Sequence, residues 1–330
     1  MFKLSSYNSR GLPKDRNGLL RRPDIGALLD QSDILCVQET WYNKQELPNL
    51  NSLHDDFHGT GVATVDPADG LLIGHPPGGV AIMWNKCLDK CVKPIDFNCN
   101  WCVGLEVLLD QKKFVIVNLY MPFQCSDNED KYLDCLGYLK SMMEELELTC
   151  YVLIGDWNAN LRDVSNIGNV NFARHMLNFC EDCSCIASTQ LLLPPDSYTY
   201  VSQSWESMSW LDHAVSTEDF HQIISDIKIH YDVSDEDHIS FTLKLEVNDV
   251  PSVTDIRNDC VPRLCWENVT SQDRYNYCNA TSNLLGQVEL PEGVLCNDIN
   301  CNNSSHLDAS IDLYNCIMDC LKQSDDTCFE

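Results

Sequence analysis

Acidic and amide side chains stand at the ends of several apolar runs in the first half of this chain. Asn8 follows "FKLSSY", Glu39 ends "DILCVQE", and Asp156 comes directly after "YVLIG". Loops at the ends of buried strands can aim side chains at a ligand while the sheet keeps them in place. The types of these residues then decide which chemistry such a site can perform.

Asn8 and Glu39 offer hard oxygen atoms, which are the ligands that Mg²⁺ prefers. Proteins commonly hold Mg²⁺ through one or two carboxylates together with substrate phosphate oxygens, and several waters stay bound. A site with so few protein ligands implies a phosphate substrate. We therefore expect Mg²⁺ as the cofactor, with Mn²⁺ as a substitute.

The remaining polar residues suit acid–base work on a phosphate. Asp156 is expected to orient and deprotonate a water, and Asn158, two positions along a segment taken as extended, to face the same side and donate to phosphate. His238 is expected to protonate or hydrogen-bond a phosphoryl oxygen, with Asp212 holding its tautomer. Tyr120, which ends "FVIVNLY", adds one more donor.

Each of these residues also has an ordinary structural interpretation. A single Asp after a strand is usually a turn residue or a helix cap. An Asp beside a His is more often a surface or core pair, and Glu39 can be a solvated strand end. Only the set as a whole favours catalysis.

The nineteen cysteines raise zinc binding as another chemistry. The segment "CEDCSC" at 180–185 has C-x₂-C spacing but no matching second pair. The second candidate set is irregularly spaced and comprises Cys296, Cys301 and His306 with Cys316 or Cys320. The alternative is a helical tail that buries free thiols.

Composition bounds the class of protein. Hydrophobic residues make up 44% of 330, which is ample for a packed core. The chain has no apolar run long enough to span a membrane and no N-terminal apolar segment typical of a signal peptide. We expect an intracellular protein, cytoplasmic or nuclear, with reduced thiols and no membrane partner. The net charge of -28 counts against tight nucleic-acid binding.

The elements that must position these residues follow from hydrophobic periodicity. Strands are predicted for "DILCVQE", "GVAIMW" and "FVIVNLY", and half-covered strands for the alternating "CVGLEVLL" and "SFTLKLEV". Helices are predicted for "PDIGALLDQ", for "EDKYLDCLGYLKSMMEEL" and for residues 171–181. The mixture indicates an α/β layered sandwich rather than an all-parallel sheet.

The pattern of apolar and polar residues changes after Val247. We predict a first domain at 1–246, a linker at 247–262 and an acidic, cysteine-containing helical tail at 263–330. In the tail, "HLDASIDLYNCIMDCLKQ" carries one clear helical stripe.

The polar set occurs in an order that resembles the endonuclease/exonuclease/phosphatase superfamily, and within it the nuclease domains of LINE-type non-LTR retrotransposons or proteins derived from them. The matching pieces are "SYNSRGL" at 6–12, "VQET" at 37–40, "NLYMP" at 118–122, "IGDWNAN" at 154–160, "SYTY" at 197–200, "SWLDHAVS" at 209–216 and "DHISF" at 237–241. The resemblance covers about 240 residues. It implies a four-layer α/β sandwich of two packed mixed β-sheets flanked by helices, followed here by the small helical tail.

Carried over residue by residue, the resemblance implies metal binding by Asn8 and Glu39, with Asp237 assisting the metal or phosphate end. It implies activation of the attacking water by Asp156. Tyr120 and Asn158 are then phosphate or transition-state contacts.

The same resemblance makes Thr199 a substrate-site residue of the retroelement branch and has Asp212 orient His238. One departure stands at the last motif, where Glu236 replaces the usual Ser and Ser240 the usual Pro. A second carboxylate beside Asp237 can raise local pKa values or strengthen metal binding.

The tail resembles the connector that precedes the reverse transcriptase in some retroelement polyproteins, so a reverse transcriptase is an expected partner there. No reverse transcriptase motif occurs in the chain, which we therefore expect to be a fragment, a truncated reading frame or a host-retained copy. The leading hypothesis is a Mg²⁺-dependent, DNA-nicking phosphodiesterase. The alternatives are a phosphatase or phosphodiesterase for a small or lipid phosphate ester, and a catalytically silent domesticated interaction module.

Overall fold

The structure is a computed structural model that describes residues 1–67, 74–109, 112–163, 171–202, 207–232, 237–247, 270–291, 294 and 304–328. The chain divides into two compact units, Met1–Ile256 and Arg257–Glu330. The predicted linker lies, apart from Val247, outside the described residues. The proposed boundaries at 246 and 262 therefore stay predictions.

The first unit contains two six-stranded sheets. The first sheet has the order β13-β14-β1-β2-β4-β3. Its strands are β1 (Phe2–Asn8), β2 (Ile34–Gln38), β3 (Phe57–Val62), β4 (Val80–Asn85), β13 (Ile224–Ile229) and β14 (Phe241–Leu245). Only β1 and β2 pair in parallel, so the sheet is mixed.

The second sheet has the order β5-β6-β7-β8-β12-β9. Its strands are β5 (Val92–Ile95), β6 (Cys102–Leu109), β7 (Lys112–Tyr120), β8 (Tyr151–Asp156), β9 (Ile186–Ala187) and β12 (Asp212–Ser216). Again one pair, β7 with β8, is parallel. A separate hairpin joins β10 (Tyr200–Ser202) to β11 (Ser207–Ser209).

The helices of the first unit include α1 (Pro23–Gln31), α2 (Glu129–Glu145), α3 (Phe172–Asp182), α4 (Ser188–Leu192) and α5 (Glu218–His221). Of these, α1 covers the outer face of the first sheet, and α2 and α3 cover that of the second. Pro23 stands in the first turn of α1, and the Asn171 side chain caps α3 by accepting a hydrogen bond from the Arg174 backbone at 3.1 Å. The predicted helices are therefore present.

Three apolar clusters define the layers. One lies between the inner faces of the two sheets and includes Leu4 and Ile116. A second joins the second sheet to α2 and α3, and a third joins the first sheet to α1. The predicted four-layer sandwich of two mixed sheets flanked by helices is confirmed.

One strand differs from its predicted environment. The alternation in "SFTLKLEV" indicated a half-covered strand, yet in β14 four of five side chains are buried. The reason is its place in the sheet: β14 lies between β1 and β13, and Thr242, on the face taken as open, contacts Ser5 and His230. Hydroxyl and imidazole partners satisfy this polar side chain within the fold.

A buried polar link ties the sheets together behind the strand ends. Gln38 donates from Nε2 to Asn118 Oδ1 at 2.5 Å, and Asn118 donates to the backbone carbonyls of Val37 and Ala81. Gly155 lies against this link with a φ of 140°. A Cβ atom there would lie 2.2 Å from the carbonyl oxygen of Leu119, so only glycine fits.

The described residues of the second unit form two helices, α6 (Ser271–Leu285) and α7 (Ser304–Cys328). The periodic stripe predicted α7, whereas α6 lies in the predicted helical tail but its apolar residues form no clear stripe. Thr270 and Asp273 form a capping box that begins α6. Among the described residues no helix is both long and apolar enough to cross a bilayer.

Candidate active site

The central strands of both sheets end at one place. The register of the first sheet sets Asn8 beside Gln38, one residue before Glu39. In the second sheet, Asp156 is paired with Tyr120 on one side and with Asp212 on the other. Residues separated by more than 100 positions along the chain are thereby gathered, as the sequence predicted.

A cavity of about 480 Å³ opens at these strand ends. This volume lies within the range of small-ligand sites, about 300–1,000 Å³. The residues that line it are Arg10, Glu39, Tyr120, Phe123, Gln124, Asp156, Asn158, Asn160, Tyr200, Ser209, Leu211, Asp237 and His238.

Asn8 is the hydrogen-bond centre of the cluster. Its buried amide nitrogen donates to Glu39 Oε1 at 3.0 Å and to Asp156 Oδ2 at 2.9 Å, and lies 3.5 Å from His238 Nε2. Its Oδ1 accepts from the backbone N–H of Arg10 at 3.3 Å. In this arrangement Asn8 links the carboxylates, and a metal bound by Asn8 has to use Oδ1.

Glu39 is half-buried and has a left-handed backbone, with a φ of 52°. Tyr120 donates its hydroxyl to Glu39 Oε1 at 3.2 Å, and Trp41 donates its indole N–H to Oε2 at 3.1 Å. Such a backbone is unusual for a residue other than glycine and is often found where function requires it. Burial, followed by the charge of Glu39, raises the pKa of the Tyr120 hydroxyl, which therefore stays a proton donor.

Asp156 is fully buried at the end of β8. Oδ1 accepts the backbone N–H of Asn158 at 2.9 Å, and Oδ2 accepts from Asn8. Burial and then the nearby charge of Asp212 raise the pKa of the Asp156 carboxyl above its ordinary value. A carboxylate tuned toward neutral pH is suited to act as a general base.

His238 and Asp212 form a buried pair. His238 Nδ1 lies 3.1 Å from Asp212 Oδ2, and Nε2 lies 3.8 Å from Asp156 Oδ2. Burial by itself lowers the pKa of His238, but the charge and hydrogen bond of Asp212, together with the charges of Asp156 and Glu39, outweigh burial and raise the pKa to about 9. The contact with Asp212 leaves Nε2 as the nitrogen that faces Asp156 and the cavity.

Thr199 lies behind the site rather than in its wall. The side chain is buried, and its hydroxyl accepts the backbone N–H groups of Leu211 at 3.1 Å and Asp212 at 3.0 Å. This placement differs from the predicted substrate contact, because the hydroxyl binds the backbone of Leu211 and Asp212. The geometry indicates that Thr199 positions Asp212.

Asn158 reaches the cavity by a route different from the predicted one. The strand ends at Asp156, and Asn158 has a left-handed φ of 49°, so the segment is not extended there. Its amide donates to the carbonyl of Met121 at 2.8 Å while the residue lines the cavity. The assumed strand geometry was wrong, although the residue is in the predicted place.

Asp237 forms an ion pair with Arg10 at the cavity wall. A metal ion bound by Asp237 has to compete with this guanidinium. The neighbouring Glu236, which departs from the family pattern, lies outside the described residues.

A divalent cation fits the charge of this site. Glu39, Asp156 and Asp212 gather around one amide and one imidazole, and Asp212 Oδ1 is buried without a hydrogen-bond partner among the described residues. Surplus carboxylate oxygens are the donors that Mg²⁺ and similar hard cations prefer. Glu39 is the member that is partly open to the cavity.

A second grouping competes for the metal. Asp156, Asp212 and His238 each offer one ligand atom, and these three atoms lie within 4.8 Å of one another. However, the imidazole is already hydrogen-bonded to Asp212, and imidazole nitrogen suits zinc better than magnesium. This chemistry favours Glu39 over the trio as a candidate ligand for Mg²⁺.

The zinc alternatives receive no support from the described residues. Cys180, Cys183 and Cys185 do not form a cluster with three ligand atoms in reach of one ion. Cys296 and Cys301 lie outside the described residues, so the tail set remains a hypothesis.

Sequence reasoning missed several cavity residues. Arg10 is inside the quoted "SYNSRGL" piece, and its charge next to Asn8 was the available signal. Asn160 accepts the Trp210 backbone N–H at 3.0 Å and so ties the β8 turn to the segment before Asp212. Phe123, Tyr200 and Leu211 carried no periodic signal, because they lie in loops or at a short hairpin.

Solved structures share this fold at low identity. An AP endonuclease from Leishmania major aligns with a TM-score of 0.59 and 16% identity, over 73% of this chain and 86% of that one. A 3′ phosphatase from Neisseria bound to a product DNA hairpin aligns with a TM-score of 0.55 and 14% identity, over 74% and 100%. The endonuclease domain of TRAS1, a telomere-specific non-LTR retrotransposon, aligns with a TM-score of 0.54 and 14% identity, over 75% and 100%.

No curated protein matches the chain. The model of the endonuclease/exonuclease/phosphatase family, in contrast, matches residues 5–235, which is more than half of the sequence and contains all but two of the predicted site residues, Asp237 and His238. The chain therefore belongs to the endonuclease/exonuclease/phosphatase family of metal-dependent enzymes that hydrolyse phosphate esters.

Proposed function

We propose that this protein is a Mg²⁺-dependent phosphodiesterase that nicks DNA, using a water activated by Asp156. The observation that carries the proposal is the convergence of Asp156 with Glu39 through Asn8 and with the Asp212–His238 pair, at the wall of one cavity. A retrotransposon origin is part of the proposal, as is a reverse transcriptase partner in a parent polyprotein. The shared fold of the TRAS1 domain supports that origin.

The residues divide the chemistry among themselves. Glu39, with Asn8, would hold the Mg²⁺ ion, which supplies Lewis-acid stabilisation of negative charge on phosphate oxygens. Asp156 takes a proton from the attacking water, because its raised pKa suits a base near neutral pH. Tyr120, whose hydroxyl stays protonated, donates to a phosphate oxygen or to Glu39.

His238 supplies positive charge on the same side of the cavity. A pKa of about 9 keeps its ring protonated at neutral pH, so Nε2 can donate to a phosphoryl oxygen. Asp212 holds Nδ1, and the Thr199 hydroxyl holds the Asp212 backbone. Asn158 and Asp237 stay proposed contacts to phosphate and metal respectively.

Aromatic side chains at the cavity favour a nucleic acid over a simple ester. Phe123 is 62% exposed at the rim, and Tyr200 lines the wall beside His238. Bases stack on exposed aromatic rings with about 1–3 kcal/mol each. The Neisseria relative with a bound DNA hairpin has the same fold, which supports the same substrate class.

A small or lipid phosphate ester is the second candidate, and the charge of the chain favours it. With 50 acids against 22 basic residues, the protein repels a polyanion, whereas the cavity of about 480 Å³ suffices for a small ester. A catalytically silent module is the third candidate, and the intact Asp156–His238 cluster opposes it.

Supercoiled plasmid is the direct test. We expect Mg²⁺-dependent conversion to the open circle and a loss of about 10²–10⁴-fold in Asp156→Asn, because the amide cannot accept the proton of the water. Asp134→Asn is the matched control, since Asp134 lies exposed on α2 and does not line the cavity. A panel of soluble and lipid phosphate esters is run beside the plasmid.

The outcomes separate the three candidates. Faster turnover of an ester than of plasmid, with the same Asp156→Asn loss, moves the assignment to a phosphatase. Nicking that survives Asp156→Asn contradicts the assigned base. Absence of any Mg²⁺- or Mn²⁺-dependent hydrolysis across low and moderate salt leaves the silent module.

A further inference from the structure

Two cysteines outside the catalytic cluster lie in sulfur–sulfur contact. Cys99 and Cys102 stand in the "CNWC" segment, which forms the turn between β5 and β6. Their Sγ atoms are 3.1 Å apart, and Cys99 Sγ also lies 3.6 Å from the carbonyl oxygen of Cys102. No other pair of cysteines among the described residues has its sulfurs hydrogen-bonded to each other.

The turn holds the two thiols in this arrangement. β5 ends at Ile95, which pairs with Gly104, so only a short loop separates the paired strands. Within the loop, Asp96 accepts the backbone N–H of Asn98, whose left-handed φ of 55° reverses the chain. Cys102, the first residue of β6, is fully buried, whereas Cys99 is half-buried. The Cys99 thiol is thus accessible from solvent, and the Cys102 thiol contacts it from the buried side.

The electrostatics of Cys99 fit the attacking role. The hydrogen bond from Cys102 lowers the pKa of the Cys99 thiol to about 7, so a substantial fraction is thiolate at neutral pH. Burial raises the pKa of Cys135, a further thiol that interacts electrostatically with Cys99, to about 11. The thiolate is the nucleophile in disulfide exchange, so Cys99 reacts before its neighbours.

We propose that Cys99 and Cys102 are a dithiol modification site, which a small disulfide such as oxidised glutathione converts reversibly to a Cys99–Cys102 disulfide. Cys99 thiolate attacks the small disulfide, breaks its S–S bond and releases one thiol, leaving a mixed disulfide on Cys99. Cys102 sulfur then attacks the Cys99 sulfur and releases the second thiol, which takes up the remaining proton. The cysteine pair loses two electrons and the small disulfide gains them.

The site lies next to the catalytic cavity. Asn100 and Trp101, the two residues between the cysteines, line a second cavity of about 450 Å³. Tyr120 and Phe123 line both cavities. Tyr120, whose hydroxyl donates to Glu39, also donates its backbone N–H to the Trp101 carbonyl at 2.9 Å, so the turn contacts the catalytic cavity wall directly.

The test is thiol mapping of the full folded chain at a series of ratios of oxidised to reduced glutathione. The remaining thiols are alkylated, and the mass of the tryptic peptide 91–112, which contains Cys91, Cys99 and Cys102, is measured by mass spectrometry. We expect loss of two hydrogens and alkylation at Cys91 only. The disulfide should form in Cys91→Ser and be absent in Cys99→Ser.

The variant Cys102→Ser tests the second step, because it lacks the thiol that would displace glutathione from Cys99. In that variant we expect one glutathione to stay on Cys99. Full alkylation of all three thiols at every ratio, or a disulfide that requires Cys91, overturns the proposal. The pair Cys180 and Cys183 has the same spacing without a sulfur contact and should stay reduced, which shows that geometry rather than spacing decides.

Discussion

Asn8 is the residue through which the two sheets share one site. It ends β1 in the first sheet, yet its amide reaches Asp156 at the end of β8 in the second. An amide can donate to two carboxylates without adding charge, so it holds Glu39 and Asp156 close together despite their repulsion. In the proposed mechanism, His238 and the metal ion would neutralise the charge of these carboxylates.

His213, the neighbour of Asp212, stabilises the fold. It is fully buried, and its Nε2 lies 2.8 Å from the Ala159 carbonyl and 2.9 Å from that of Trp210. Burial lowers the pKa of His213 to about 4, against about 6.5 in an unfolded chain. Its stabilising contribution is therefore present above pH 6.5 and is lost as the pH falls toward 4.

This difference predicts acid sensitivity that belongs to one residue. When the pH is lowered from 7 to 5, we expect the free energy of unfolding to fall by about 2 kcal/mol because of His213. Denaturant unfolding at both pH values measures it, with His213→Gln losing most of that dependence and keeping a side-chain donor. The exposed His58→Gln should retain it; an equal pH dependence in both variants contradicts the assignment.

At the scale of elements, the parallel pairs β1–β2 and β7–β8 build the site. Strands that run in parallel bring their carboxyl ends to the same edge, so the residues that follow them meet there. Just after these strand ends, three cavity residues have a left-handed backbone conformation, namely Arg10, Glu39 and Asn158. Strained positions of this kind persist only where the surrounding structure supports them.

Gly155 tests how far the β8 strand end depends on close packing. We expect Gly155→Ala to lower the free energy of unfolding by about 2–4 kcal/mol, because the new Cβ meets the Leu119 carbonyl and the φ of 140° is strained for alanine. Gly137→Ala in α2 is the control, since a Cβ there meets nothing within 4 Å. It should stabilise by about 0.5–1 kcal/mol. Equal effects from both substitutions count against this account.

At the scale of the whole molecule, acidity and metal dependence act together. If the protein nicks DNA as proposed, its net charge of -28 weakens the attraction to DNA, so contacts would depend on the metal and on local groups such as Arg10. Added salt should then weaken the proposed nicking further wherever basic side chains meet the phosphates. The same acidity attracts cations everywhere on the surface, so specific metal binding has to be separated from the general effect.

Thermal or denaturant unfolding with and without Mg²⁺ makes that separation. A bound ion stabilises the folded chain by about 2.7 kcal/mol at one hundred times its dissociation constant. We expect this gain to be lost in Glu39→Gln and kept in Glu145→Gln, which removes an exposed carboxylate from α2. If both variants keep the gain, Glu39 is not the ligand.

The sequence by itself determined most elements of the two sheets and several of the residues that line the cavity. Apolar runs and stripes predicted β2, β4, β7, α1, α2 and α3, and the polar residues at their ends predicted the cluster around Asp156. Local periodicity suffices for this, because burial on one face is written into neighbouring residues.

The backbone of turns, the burial of polar side chains and the contacts between side chains were decided only by the tertiary structure. The turn at Asn158, the burial of Thr199, the Arg10–Asp237 pair and the Cys99–Cys102 contact all depend on it. The physical reason is that strand register and loop backbone set the distance and direction of a side chain to within an ångström. Residue type and spacing fix neither distance nor direction, so the sequence indicated part of the cavity lining and the tertiary structure decided the rest.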